Sequence, residues 1–224
     1  MSVIAFIPVR GGSKSIPLKN IKPFCGMPLV YWSAKAANDS PFVDRAVIAS
    51  DSKEILKTAG SFALPKVSLY ERDPANAQDG SSTESVMLEF ISQENLSNDD
   101  IFILVQATSP LTTANDIDCA MSLYRDTEAD SLLTCSRTKR FFWNEDGTPI
   151  NYDFMKRPRR QDFRGTLMEN GAFYISTVKR IRESGCRLSG KIAVYEMPEY
   201  CGTEIDEPSD WVTAEGLMQR YILR

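Results

Sequence analysis

The chain of 224 residues contains no histidine. That excludes a histidine-centred triad, imidazole metal ligation and a histidine general base. Any chemistry must rest on carboxylates, cations, hydroxyls, amides or a bound metal ion. Cysteine is sparse: Cys25, Cys119, Cys135, Cys186 and Cys201 are scattered, and no two have CxxC spacing. Neither a zinc site nor a disulfide framework is indicated, and reduced thiols in a cytoplasmic protein are the expectation. Long apolar runs are missing as well. The N-terminal run from Val3 to Val9 ends at Arg10, too short for a signal peptide or a membrane span, so no membrane partner is expected. A basic excess is also lacking. With 30 acidic against 26 basic residues, the net charge of −4 argues against nucleic acid as a partner.

What is present is a core-forming composition, 42% hydrophobic, in a chain long enough for one large domain. Short β-rich runs alternate with helical patterns. Strands are expected at 3–9, 45–50, 66–70, 101–105, 130–135, 172–176 and 191–197. Helices are expected near 28–38, 52–63, 82–94, 113–126, 177–184 and 207–222. Such alternation implies an α/β fold: a three-layer α/β/α, Rossmann-like, mostly parallel sheet, with ligands beyond the carboxyl ends of the strands. Arg10, Asp51, Arg72, Gln106 and Asp206 all fall just after expected strands or in the following loops. Residues 136–171 break the alternation. They hold Phe141-Phe142-Trp143 and the cluster Lys156-Arg157-Pro158-Arg159-Arg160, and read as an arm suited to contact with another protein.

The most informative local feature is the loop Arg10-Gly11-Gly12-Ser13-Lys14-Ser15-Ile16-Pro17-Leu18-Lys19-Asn20. Between residues 10 and 22 it carries four cations (Arg10, Lys14, Lys19, Lys22) and no acid. Glycines and serines let its backbone approach a ligand closely and turn N–H groups toward it. A strand ending in such a loop suits phosphate. It is not a nucleoside-triphosphatase P-loop, because the glycine before Lys14-Ser15 is misplaced. Nor is it a dinucleotide fingerprint, because Gly11-Gly12 is followed by Ser13-Lys14 and then by Pro17, which blocks an immediate helix. The loop is expected to wrap a nucleotide.

Taken together, four ordered motifs resemble the CMP-sialic acid synthetases, the acylneuraminate cytidylyltransferases. They are the opening loop; Val105-Gln106-Ala107-Thr108-Ser109-Pro110-Leu111; Arg157-Pro158-Arg159-Arg160-Gln161-Asp162 followed by Glu169-Asn170-Gly171-Ala172-Phe173-Tyr174; and Glu204-Ile205-Asp206 followed by Asp210-Trp211. The resemblance covers nearly the whole chain as a single cytidylyltransferase domain, 1–224, with 136–171 as a dimerisation arm. The third motif is closer in style to the animal enzymes, whose phosphatase-like second domain is expected to be missing, since the chain stops at Arg224. The resemblance implies a reaction of CTP with a sialic or related nonulosonic acid to give the CMP-sugar and diphosphate. It also implies Mg²⁺ and a homodimer in which one arm covers the other subunit's sugar pocket. The alternatives are a 3-deoxy-octulosonate cytidylyltransferase and a non-catalytic nucleotide-binding regulator.

Carried over by position, the resemblance assigns Arg10, Lys14 and Asp206 to catalysis. Arg10, Gly11, Gly12, Ser13, Lys14, Lys19, Asn20, Arg72, Ser82 and Thr83 fall to the nucleotide. Gln106, Arg159, Asn170 and Tyr174 fall to the sugar, and Asp206 with Glu204 to the metal. Several of these residues support a second reading. Asn20 fits a turn, and Ser81-Ser82-Thr83-Glu84 opens a helix as an N-cap. Asp51 orients the nucleotide or, with Ser52, caps a helix. Arg159 is a sugar contact or a solvated cation, and Tyr174 is a sugar contact or core. If residues 204–206 are extended, both acids share one face. Glu204 stands where the family often has Asp, and Met168-Glu169 stands where some bacterial members have Arg-Pro, so the particular sugar stays open.

Overall fold

The structure, a computed structural model, describes residues 1–73, 76 and 80–223. Its first strand, β1 (Val3–Pro8), is apolar at nearly every position because both of its faces are covered. Val3, Ala5 and Ile7 pack into one core, while Ile4 and Phe6 pack into another on the opposite face. The same period of two divides β6 (Ile101–Val105) between the two cores. These strands lie at the centre of a sheet completed by β4 (Arg45–Ser50), β5 (Val67–Glu71), β7 (Ser131–Thr138), β8 (Thr166–Thr177) and β9 (Ile192–Met197). The spatial order is β5-β4-β1-β6-β8-β7-β9, and β8 alone runs antiparallel to its neighbours.

Helices α1 (Leu29–Asp39), α2 (Lys53–Ala59), α4 (Ala114–Asp126) and α6 (Pro208–Tyr221) cover one face through residues such as Leu29, Ile55, Ile117 and Trp211. Helices α3 (Thr83–Gln93) and α5 (Val178–Ser184) cover the other through Met87, Phe90, Val178 and Ile181. The three-layer, mostly parallel architecture expected from the sequence is thus the one observed. All six helices and seven main strands were anticipated, with ends that differ mostly by one or two residues.

Two departures matter for function. A small hairpin of β2 (Pro23–Phe24) and β3 (Met27–Pro28) turns through Cys25-Gly26, both at positive φ, and escapes a reading based on periodicity because its strands have two residues each. More important, β7 and β8 extend beyond their expected limits, so the flanks of the 136–171 segment belong to the sheet. The irregular part lies between Thr138 and Thr166. Its aromatics pack on one another: Phe141 stacks on Tyr152 at 4.1 Å, Phe163 lies 4.9 Å from Phe141, and Arg157 sits 4.4 Å above the Phe141 ring. Phe142, Trp143, Phe154 and Met155 remain exposed.

The pairing of β7 with β8 slips between Leu133 and Cys135, where residues 170–173 of β8 form a bulge. Thr134 fills it, with its hydroxyl donating to Phe173 O and accepting from Phe173 N at 3.2 and 3.3 Å. Gly171 sits inside the bulge at φ 60°.

Candidate active site

The chain leaves β1, passes to β4 and β5 on one side, and returns to β6 on the other. This reversal of direction opens a crevice beyond the carboxyl ends of β1 and β6. There the structure has a cleft of about 420 Å³, lined by Arg10, Ser13, Lys14, Lys19, Asn20, Arg72, Ser82, Thr83, Gln106 and Asp206 among others. The four residues on which the sequence reading depends most, Arg10, Lys14, Gln106 and Asp206, therefore share one cavity.

Local structure explains how the loop residues arrive there. Pro17 and Leu18, the latter at φ 51°, end the extended course of the loop before a 3-10 turn, Lys19–Ile21. The Asn20 amide donates to Arg10 O at 3.0 Å, closing the loop on itself. Gly11 N donates to Asp51 Oδ1 at 3.2 Å, and the Arg72 guanidinium lies 3.5 Å from the same oxygen. Asp51 thereby joins the loop after β1 to the residue after β5. The cap of α2 is Ser52, whose hydroxyl accepts from Ile55 N. An alanine Cβ at Gly11 would lie 3.0 Å from Ser52 Cβ, so the loop packs closely on that helix start. Neither Gly11 nor Gly12 lines the cleft with the cations.

Arg72 is 6% exposed, and burial pushes its pKa down against the pull of Asp51. Its Nε is a buried donor with no hydrogen-bond partner among the described residues. Such a donor is costly unless something else accepts from it. Ser82 holds both of its expected places: it caps α3 by accepting from Ser85 N at 3.1 Å, and it lines the cleft beside Thr83.

A second cleft of about 400 Å³ adjoins the first and shares Gln106, Thr108 and Asp206 with it. Glu169, Gly171, Tyr174 and Glu204 complete its lining, with no lysine or arginine among the described residues. The carboxyl of Glu204 is raised above its ordinary range by burial first, then by the nearby charges of Asp206 and Glu169. Segment 203–206 belongs to no strand, yet its two acids face the same way, as the shared-face expectation has it. Buried Ile205 donates its N–H to Thr108 O at 2.9 Å, and the acids on either side of it open into the second cleft. Asp210 belongs to the capping box of α6; its carboxylate accepts from Asp206 N and Glu207 N. Lys19 donates to Ile205 O at 2.7 Å and lies 3.4 Å from Asp206 Oδ1.

Two expected sugar contacts lie elsewhere. Asn170 is 1% exposed and lines neither cleft; its amide donates to Cys201 O at 3.0 Å and so pins the turn at Glu199–Gly202 to β8. The bulge rotates it inward, which the strand pattern did not reveal. Arg159 is exposed on the segment between β7 and β8, away from both linings. Tyr174 both packs in the core and reaches the second cleft. Among the described residues, no group of three His, Cys, Asp or Glu side chains is set to hold a metal ion by itself.

Comparison with known proteins gives a consistent picture. The family model described as cytidylyltransferase matches residues 4–198. N-acylneuraminate cytidylyltransferase B of Danio rerio is 38% identical over 97% of this chain and 51% of its own length. The chain spans about half the length of such relatives. A pseudaminic acid cytidylyltransferase of Campylobacter jejuni is 29% identical over 94% of this chain and 93% of its own. Among solved structures, a CMP:2-keto-3-deoxy-manno-octonic acid synthetase complexed with CTP superposes with a TM-score of 0.68 at 16% identity, covering 99% of this chain and all of that one. A 4-diphosphocytidyl-2C-methyl-D-erythritol synthase from Anaerococcus prevotii gives 0.65 at 13% identity over 98% and 96% of the two chains, and both likenesses concern the fold.

Proposed function

The chain belongs to the cytidylyltransferase family, and from that premise we propose that it transfers the cytidylyl group of CTP to a nonulosonic acid of the sialic type. One observation carries this reading: a cation-lined cleft at the β1/β6 crevice runs directly into a second cleft of opposite charge, and Gln106 and Asp206 border both. The first cleft takes CTP. Arg10 and Lys14 meet the triphosphate, and the unpartnered Nε of Arg72 offers a donor to the cytosine side. The second takes the sugar, whose contact residues include Gln106 and Tyr174.

In the reaction, the anomeric hydroxyl oxygen of the sugar bonds to the α-phosphorus. The bond from that phosphorus to the bridging oxygen of the β-phosphate breaks, diphosphate leaves with the bonding pair, and the hydroxyl proton passes to a base or water. Charge accumulates on the leaving oxygens, where Arg10 and Lys14 are already in place. Asp206 and Glu204 fit a Mg²⁺ ion: burial first, and then the charges of Asp206 and Glu169, raise the Glu204 carboxyl, and a hard cation with oxygen ligands would favour its charged form. Asp206 and Glu204 would hold the ion, which would supply charge neutralisation at the reacting phosphorus.

Among the described residues, the sugar's own carboxylate finds no cation in the lining of the second cleft. Arg159, on the exposed segment between β7 and β8, belongs to this reading as the cation that a second copy brings, and the exposed Phe142, Trp143 and Phe154 as its docking surface. The working form is then a homodimer in the cytoplasm, a compartment consistent with five unpaired cysteines and with the absence, among the described residues, of a helix able to cross a membrane.

The test is Mg²⁺-dependent diphosphate release from CTP with a panel of nonulosonic and octulosonic acids, alongside sedimentation of the protein. Release only with nonulosonic acids is expected. No release with any sugar acid, or full activity from a monomer, overturns the corresponding part of the reading.

A further inference from the structure

We propose that Glu169 is a substrate-binding residue of the second cleft, accepting hydrogen bonds from sugar hydroxyl groups, and that Tyr174, Arg187 and Glu84 hold it in position. The inference rests on the function proposed above and adds a residue set to it.

Glu169 is exposed and lines the second cleft. Its side chain has one hydrogen-bond partner among the described residues, the Tyr174 hydroxyl, which donates to Oε1. A carboxylate with one such bond keeps most of its acceptor capacity. With Glu169, Glu204 and Asp206 in the lining and, among the described residues, no lysine or arginine, the cleft repels an anion and favours donors. The face of a sugar acid that suits it is the hydroxyl-bearing one, with the carboxylate turned away.

Tyr174 is fixed from behind. The Arg187 guanidinium lies 5.0 Å from the centre of its ring and stacks on it. Arg187 Nε in turn donates to Glu84 Oε1 at 2.6 Å, and both side chains are about one-fifth exposed. Glu84 lies in the first turn of α3, immediately after Ser82 and Thr83 of the nucleotide cleft. A continuous set of side chains thus runs from the start of α3 to the Glu169 carboxylate. The Glu84 carboxyl is held below its ordinary range, chiefly by the Arg187 hydrogen bond, as expected of a formed pair.

The experiment compares steady-state kinetics of Glu169→Ala, Glu169→Gln, Tyr174→Phe and Arg187→Met with the parent enzyme, with CTP and the sugar acid varied separately. Losing a charge-assisted acceptor predicts a rise in KM for the sugar of roughly 10- to 100-fold in Glu169→Ala, with KM for CTP unchanged within about twofold. Glu169→Gln, which keeps one acceptor oxygen, lies between parent and alanine. Tyr174→Phe and Arg187→Met shift the same constant in the same direction by a smaller factor. If Arg187→Met unfolds, Tyr174→Phe, which keeps the ring, decides. An active parent whose KM for the sugar is unmoved by Glu169→Ala overturns this inference alone. A parent inactive with every sugar acid overturns the proposed function, and this inference with it. Equal rises in both KM values mark a general structural role and also overturn it.

Discussion

Gly171→Ala should separate folding from activity. The glycine sits at φ 60° in the β8 bulge, and a Cβ there would lie 1.9 Å from Glu204 Oε1 and 3.1 Å from its carboxyl carbon. Two costs follow. An alanine in the left-handed region costs about 1–2 kcal/mol. The clash is with the far end of a flexible side chain, so Glu204 relieves it by swinging away rather than by straining the sheet. Against a total stability on the order of 5–15 kcal/mol, the protein stays folded. Its melting temperature should fall by roughly 2–8 °C, given about 2–4 °C per kcal/mol for a domain of this size. Activity should suffer more. The carboxylate must retreat on the order of 1 Å, a misplacement that costs around 10²-fold in rate at a reacting centre. Calorimetry and turnover measure the two effects. The Gly171→Ala/Glu204→Ala double variant supplies the control, since its turnover should equal that of Glu204→Ala alone if the displaced carboxylate is the cause. Parent-like turnover in Gly171→Ala, or fully additive losses in the double variant, would refute the reasoning.

Lys14→Ala should slow the chemical step by roughly 10²–10³-fold, the usual scale for one preorganised charge stabiliser, as read by single-turnover CMP-sugar formation; an unaltered rate returns Lys14 to a solvated loop. Asp206→Ala should abolish turnover while CTP affinity falls less, because the metal ion that this carboxylate would hold acts mainly on developing charge. Calorimetric titration with CTP checks this, and near-normal turnover removes Asp206 from the mechanism. The Glu84–Arg187 pair also predicts a pH dependence. Its carboxyl is depressed from an ordinary value of 4.5. Its contribution is therefore present above that value and is lost as pH falls through the lower folded-state value. The stability gap between parent and Glu84→Gln, from urea titrations, should narrow below about pH 5. A gap that does not change with pH refutes it.

The sheet was legible because its strands are apolar on both faces. Val3–Pro8 and Ile101–Val105 leave no polar register to mistake, and each is bounded by loops rich in turn residues. The eastward limit of that legibility is β8. Its first half, Thr166–Glu169, is partly exposed and carries no core pattern, so the strand was expected only from residue 172. The bulge then turns Asn170 inward, and a period of two cannot anticipate four residues, 170–173, standing opposite the single Thr134. For the site, the loop cations and Gln106 were readable because a strand end leads into each of them. Arg187 was not. It lies between α5 and β9 with no periodicity around it, and its partners Glu84 and Tyr174 are distant in sequence. A signal for Glu169 did exist: a carboxylate directly before Asn170-Gly171, where the sequence already differed from some of its relatives.

Charge is the property that gives the two clefts different work. The first gathers Arg10, Lys14, Lys19 and Arg72 around a space bordered, among the described residues, by a single acid, Asp206. The second reverses the balance, with three carboxylates and no cation in its lining among the described residues. Under the proposed function the first suits a triphosphate, and the second a hydroxyl-rich, uncharged face. Asp206 borders both, and so under the proposed function lies between the phosphates and the attacking hydroxyl. Its 67% exposure leaves it able to share a hard cation with an incoming ligand, whereas Glu204 beside it is half-buried, its carboxyl raised first by that burial and then by its neighbours' charge. An acidic sugar in such a cleft meets repulsion on one side unless a cation arrives from outside the lining. Under the proposed function this is the physical reason for the exposed basic and aromatic segment between β7 and β8: the cleft of one chain is electrostatically incomplete until the arm of another supplies what it lacks.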